Sequence, residues 1–250
     1  MPSSNALPLT GERTVPGIAA ENYWFRRHEA AYEFALPLVA GKHVLEVGCG
    51  EGYGTALIAS TAASVVGIDY DALAITHSAR TYSGAHFLRA NLAALPIASQ
   101  SVDVVATLQV IEHVWNHGEF VRECLRVLRP GGLLLVTTPN RLTFSPDSDV
   151  PLNPFHTREF TADELSHLLT RNGFEIESVN GLHAGERIVA LDEKYGSFVG
   201  AQLDAPPEQW PAELAREVGS IRTGDFVVVD AADGRVDGSL DLVVLARRPR

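Results

Sequence analysis

The sequence predicts an α/β fold, an open and mostly parallel sheet with helices on both faces, and three features predict it. At 43–47 a short apolar strand carries an acid near its end, breaks into a glycine loop at Gly48, Gly50, Gly52 and Gly54, and opens a helix over 55–62. At 64–69 a second apolar strand, SVVGID, again ends in an acid, Asp69. Asp69 comes late enough after Gly52 for one helix and one return strand, so its carboxylate arrives beside the loop. At 102–108 an apolar, largely β-branched run reads as a strand buried on both faces, as parallel sheets require.

Glycines at alternate positions let the main chain bend where a Cβ would clash and let a ligand lie against it. A dinucleotide loop is written GxGxxG, but counting from Gly48 puts Tyr53 in the third place, and counting from Gly50 puts Thr55 there. The pattern present is acid-x-Gly-x-Gly-x-Gly, with Glu46 on the strand and Glu51 in the loop. Carboxylates there suit a cationic ligand better than a pyrophosphate, which disfavours an NAD-dependent enzyme. The stretch VLEVGCGEGYG resembles motif I of the class I S-adenosylmethionine (SAM) dependent methyltransferases.

Composition bounds the rest. The formal charge is −11, which argues against a nucleic-acid partner. No apolar run reaches the roughly 18 residues of a membrane span, and the start lacks a signal-peptide pattern, so a cytoplasmic address is expected. Cys49 and Cys124 form neither a disulfide framework nor a zinc pattern. A single domain over 1–250 is expected: an arm and cap helix at 1–39, a core at 40–182, an insertion at 183–222 and a closing strand within 223–250.

In order, residues 1–20 read as an extended arm. Trp24, His28, Ala31, Tyr32, Ala35 and Leu36 recur at helical spacing and predict a helix over 22–36 that stops before Pro37. Its aromatics either bury the helix or wall an acceptor. A helix over 71–82 is capped by Asp71, and strands follow at 85–89 and 102–108. A helix at 119–128 and a Pro-Gly turn lead to a strand at 133–138. Residues 139–160 form a long polar loop at the carboxyl edge of the sheet, where such loops usually carry function. A capping box at Thr161–Glu164 opens a helix to about 172, Gly173 stops it, and a strand follows at 174–180. Short helices at 186–203 and 211–218 are expected in a segment open to three uses: a lid, a homodimer surface or packing. A last strand is expected at 239–246.

The resemblance extends over about 40–180, through the Asn-Leu-x-x-Leu-Pro stretch at 91–96 and the turn LRPGG at 128–132. It implies a Rossmann-like, seven-stranded, mostly parallel sheet with the last strand antiparallel. It also implies SAM as methyl donor and S-adenosylhomocysteine as product. The cofactor residues it implies are Arg27 for the SAM carboxylate, Glu46, Gly48, Gly50 and Gly52 in the loop, Asp69 and Tyr70 at the ribose, Asn91 and Leu92 at the adenine, and Gln109.

For an alcohol acceptor a general base is needed, and histidine titrates nearest neutral pH. His113 is the first candidate, with Glu112 orienting it, and His156 the second. Glu112, His113, Asp147, Asp149 and His156 also offer donor atoms to a divalent ion, but without tight ligand spacing, so no metal is predicted. The arm, the ENYWFRRHE helix start and the TPNRLTFSP…NPFHTRE loop look like mycobacterial sugar O-methyltransferases of methylmannose and methylglucose polysaccharide assembly. That resemblance implies a mannose- or glucose-based acceptor, with Tyr23, Trp24, Asn140, Arg141 and Asn153 contacting it. Methylation of a quinone or polyketide, and SAM binding without turnover, are the alternatives.

Overall fold

The computed structural model describes residues 7, 13–148, 150–230 and 236–250. Asp149 and most of the arm before Arg13 lie outside the described residues. The helix α1 (Asn22–Val39) precedes β1 (His43–Val47), α2 (Tyr53–Ala59), β2 (Ser64–Asp69), α3 (Ala72–Thr81), β3 (His86–Arg89) and β4 (Val102–Leu108). Then come α4 (His117–Val127), β5 (Leu128–Pro139), the single turn α5 (Arg141–Phe144), α6 (Ala162–Arg171) and β6 (Glu175–Ala184). The chain finishes with α7 (Glu186–Tyr195), α8 (Phe198–Leu203), α9 (Ala212–Ser220), β7 (Phe226–Asp230) and β8 (Asp241–Arg247).

The strands of the described residues form one sheet in the order β3-β2-β1-β4-β5-β8-β6-β7. The pairs from β3 through β5 are parallel, β8 runs antiparallel between β5 and β6, and β7 is antiparallel on β6. The sheet is therefore eight-stranded, one strand more than expected. The addition is FVVVD at 226–230, a short β-branched run that pairs with the far end of β6.

Successive residues in a strand face opposite sides, and both sides are covered here. Val44, Val104, Leu133 and Val243 enter one core with Tyr32, Ile58, Phe198 and Leu214, the side of α1, α2, α8 and α9. Their neighbours Leu45, Val105, Leu134 and Val244 enter the other with Phe120, Cys124 and Leu165, the side of α4 and α6. Double coverage is why these strands read as continuous apolar runs.

Two boundaries differ instructively. Helix α1 runs through Pro37 to Val39. Ala35 and Val39 are wholly buried, and anchoring that last turn outweighs the one hydrogen bond Pro37 cannot donate. Strand β5 starts at Leu128, well before the expected 133, because Leu128 pairs with Val102 ahead of the Pro-Gly bend. Among the described residues no helix is long and apolar enough to cross a membrane.

Candidate active site

The strand order reverses between β1 and β4, and the crevice at the carboxyl ends there is where α/β sheets bind ligands. After β1, Gly48, Gly50 and Gly52 all have positive φ, of 86°, 52° and 99°. A Cβ at Gly48 would run into the side chain of Val110, so glycine lets the two strand tips meet. Gly48 N and Cys49 N donate to Ile68 O at 2.7 and 2.9 Å, which fastens the loop to β2.

Asp69, at the tip of β2, accepts from Gly50 N and Asp71 N, one bond on each carboxylate oxygen at 2.9 Å. An ionised carboxylate has about four acceptor positions, so roughly two remain for a ligand diol. Tyr70 is exposed beside it, and its carbonyl accepts from Arg89 Nε. Ala90 N donates to Asp69 O, which puts Asn91 and Leu92 next to the same tip. Asn91 Oδ1 accepts from Ala93 N, and Leu92 is half-buried against the core on the α4 side.

The loop's acids are both engaged within the protein. Glu46 is fully buried, and its oxygens accept from Tyr32 OH (2.6 Å) and from the Thr55 hydroxyl. Burial pushes its carboxyl up to about 7. Glu51 is bound by His77 Nε2 (2.6 Å) and Tyr82 OH (2.7 Å) and ties α3 to the loop.

Beside this cradle lies a cavity of about 930 Å³. Its wall combines Trp24 and His28 of α1, Gln109 and His113 from the turn after β4, His156 of the long loop and Ile188 of α7. The segment after residue 183 thus does two things: α7 and α8 pack on α1, and they close one side of the cavity. Gln109 holds φ 57° and donates from its backbone N to Thr137 O, which turns the chain across the cavity floor.

Three predicted residues converge there. Glu112 is 1% exposed, and its Oε2 accepts from Thr138 Oγ1 at 2.9 Å. Burial raises its carboxyl to about 8. His113 Nδ1 lies 3.0 Å from Phe155 O; a carbonyl only accepts, so Nδ1 carries the proton and Nε2 the lone pair. That Nε2 is 4.0 Å from Glu112 Oε1. His156 Nδ1 is held by Glu159 Oε1 at 2.8 Å, its ring stands edge-on to His113, and burial lowers its pKa.

The other predicted residues differ in where they lie. Arg27 lines the cavity, is 4% exposed and is held from within: Nε and Nη2 donate to Asp241, and Nη2 also to Leu240 O. Asn140 is wholly buried and off the cavity, its amide donating to carbonyls of Val236, Asp237 and Ser239 while its Oδ1 caps α5. Arg141 reaches Glu164 at 3.2 Å and lines a separate hollow of about 230 Å³. Tyr23 borders the cavity, but its ring is in the core, edge-on to Trp24, Phe198 and Phe226. Asn153 lines the cavity and uses Oδ1 to accept from Phe155 N.

Sequence reasoning missed Arg13. It lies where the arm crosses the glycine loop, with Nη2 bound to Asp71 at 2.6 Å and its Cβ close to Gly50. Its Nη1 is buried with no hydrogen-bond partner, and the residue lines the cavity. Next to it Thr14 Oγ1 is 3.0 Å from Tyr53 OH. An isolated arginine in an aperiodic arm gives no sequence signal.

Residues 45–136 match the family described as "Methyltransferase domain". A Mycolicibacterium smegmatis protein named "Probable S-adenosylmethionine-dependent methyltransferase" is 52% identical over 98% of this chain and 96% of its own length. A Mycobacterium tuberculosis protein so named is 50% identical over 99% and 92%. The ubiquinone biosynthesis O-methyltransferase of Agrobacterium fabrum is 35% identical over 84% of this chain and 73% of its own. Among solved structures, the SAM-dependent methyltransferase of Mesorhizobium loti superposes with a TM-score of 0.57 at 21% identity, covering 89% of this chain and 98% of its own. The [4+2]-cyclase SpnF superposes at 0.60 with 22% identity, covering 90% and 80%. Length-wide identity to the two mycobacterial proteins, joined to the cradle at the β1–β4 switch point, makes this chain a member of the SAM-dependent methyltransferase family.

Proposed function

We propose that the chain transfers the methyl group of SAM to a hydroxyl of a mannose- or glucose-based oligosaccharide. The observation that carries the proposal is the convergence of Glu112, His113 and His156 on a cavity that adjoins the glycine-loop cradle.

The cradle fits the cofactor's polar ends. Asp69 keeps acceptor positions for the ribose hydroxyls, and the buried, unpartnered Nη1 of Arg13 suits the amino-acid carboxylate, the role first given to Arg27. Bound SAM supplies a methyl carbon on a positive sulfur, and the leaving group is a neutral thioether. The protein's task is alignment. Gln109, in its left-handed turn, sits between cradle and cavity and sets that border. His113 Nε2 takes the hydroxyl proton, because its Nδ1–H is fixed on Phe155 O and the residue lines the cavity. Trp24 offers a flat face for a sugar ring, and Asn153 a polar rim.

A phenolic acceptor is the second reading. It is favoured by the 35% identity to a ubiquinone biosynthesis O-methyltransferase and by the apolar stretch of wall from Ile188 and Val199. Purified protein incubated with methyl-labelled SAM and panels of mannosides, glucosides and phenols separates the two. Label in the glycosides is expected, and label in phenols alone would overturn the sugar reading.

A further inference from the structure

The same three residues carry a second chemistry. Among the described residues, Glu112, His113 and His156 are the group whose donor atoms all lie within 4.8 Å of one another. They come from the turn after β4 and from the long loop, and they meet on the cavity wall. We infer that Glu112, His113 and His156 bind one first-row divalent cation such as Mn²⁺ or Zn²⁺, whose remaining coordination positions open into the cavity and take acceptor hydroxyls. The inference rests on reading that cavity as the acceptor site, and it turns His113 from proton acceptor into ligand when the ion is bound.

Three features support it. The donor set is two imidazoles and one carboxylate, a combination that suits first-row ions and leaves positions open for substrate, whereas Mg²⁺ and Ca²⁺ favour oxygen donors. Each donor is also held from behind as metal ligands are. His113 Nδ1 is fixed on Phe155 O, His156 Nδ1 on the Glu159 carboxylate, and Glu112 Oε2 on the Thr138 hydroxyl. With those atoms engaged from behind, His113 Nε2, His156 Nε2 and Glu112 Oε1 are taken as the ligand atoms. Finally, two carboxylates, Glu112 and Glu159, are buried beside this cluster at 1% and 3% exposure, and Glu159 Oε2 has no hydrogen-bond partner. A cation there gives these buried acceptor oxygens a positive partner.

Ligands at about 2.1 Å from one ion stand some 3–3.5 Å apart, so from a spread of up to 4.8 Å binding draws the widest pair in by up to about 1.5 Å. Rotation of the two imidazoles, already edge-on at 4.9 Å between centroids, supplies that movement. Two neighbouring hydroxyls of one sugar ring can then chelate the ion. A hydroxyl on the ion is more acidic. Its O–H bond breaks with the proton passing to solvent water, the oxygen forms the new bond to the methyl carbon, and the C–S bond breaks with its electron pair on sulfur.

The test uses tag-free full-length protein, stripped with chelator and titrated with Mn²⁺ alone, following the loss of free Mn²⁺ signal by electron paramagnetic resonance. One ion per chain is expected, with at least tenfold weaker binding in His156→Gln and in Glu159→Gln, the latter removing only the outer support. Because Glu112→Gln can fail to fold, the unaltered protein is also melted with and without Mn²⁺, and a higher Tm with the ion is expected. No bound Mn²⁺, or affinity unchanged in both variants, overturns the inference. Glycoside methylation at full rate under excess chelator also overturns it while leaving the sugar reading intact. Stoichiometric Mn²⁺ with label in phenols alone upholds the ion site and removes the sugar reading.

Discussion

Arg27 and Asp241 form a two-pronged ion pair, Nε to Oδ2 at 2.7 Å and Nη2 to Oδ1 at 2.6 Å, with both side chains at 5% exposure or less. It joins the cap helix to the last strand of the sequence. Removing one partner of such a pair strands a buried charge, at a cost of about 3–5 kcal/mol. Arg27→Ala and Asp241→Ala are each expected to lower Tm by roughly 10 °C. The paired apolar replacement Arg27→Met with Asp241→Leu should lose less than either single change. Calorimetric melts check this, and a double variant as unstable as the singles would refute it.

Asp69→Ala should weaken SAM binding ten- to a hundredfold, since a ligand diol loses its charged acceptor and the loop loses its bond at Gly50 N. Titration calorimetry with SAM reads it directly. Unchanged affinity would remove Asp69 from the cofactor site.

Arg13→Ala is expected to weaken SAM about tenfold, while Arg13→Lys retains part of the affinity as a point charge without the fork. The Arg13–Asp71 pair is partly exposed, so Tm should move by only a degree or two. A large fall in Tm with SAM affinity intact would make Arg13 a structural residue.

His113→Ala should reduce turnover by a factor of a hundred or more with SAM affinity within about twofold. Single-turnover kinetics with the best acceptor separates this from a binding defect. Full activity in the variant would pass the role to His156.

Glu46 gives a pH signature of stability. Its folded carboxyl sits at about 7 against an ordinary 4.5, chiefly through burial. A raised folded pKa means that the folded chain holds the proton more tightly, so this contribution is complete below about 4.5 and is lost as pH rises through about 7. Relative to Glu46→Gln, the parent protein should lose about 3 kcal/mol across that window. Urea melts at pH 5 and pH 8 check the difference, and parallel curves would refute it.

The strands of the core were legible because burial on both faces leaves apolar runs that no other element produces at that length. Residues 64–69 and 102–108 are strands with those bounds. Asp71 caps its helix, and Thr161 with Glu164 forms the capping box, because these signals are local. Pairings between distant residues leave no such trace. The sequence gives no hint that Arg27, which lines the cavity, is paired with Asp241, 214 positions on. Asn140 reads as an acceptor contact until carbonyls from 236–239 take its amide. β7 is five residues at the sheet's edge, and its pairing depends on β6 extending past its expected end.

The place of β8 has a consequence for assembly. The strand furthest along the sequence lies inside the sheet, filling the gap between β5 and β6 and receiving the guanidinium of the first helix. As the chain emerges in order from a ribosome, β5 and β6 face each other across an unfilled slot until those residues arrive, and α1 has nothing to clasp. The cavity walled by that helix is therefore completed only once β8 has joined the sheet.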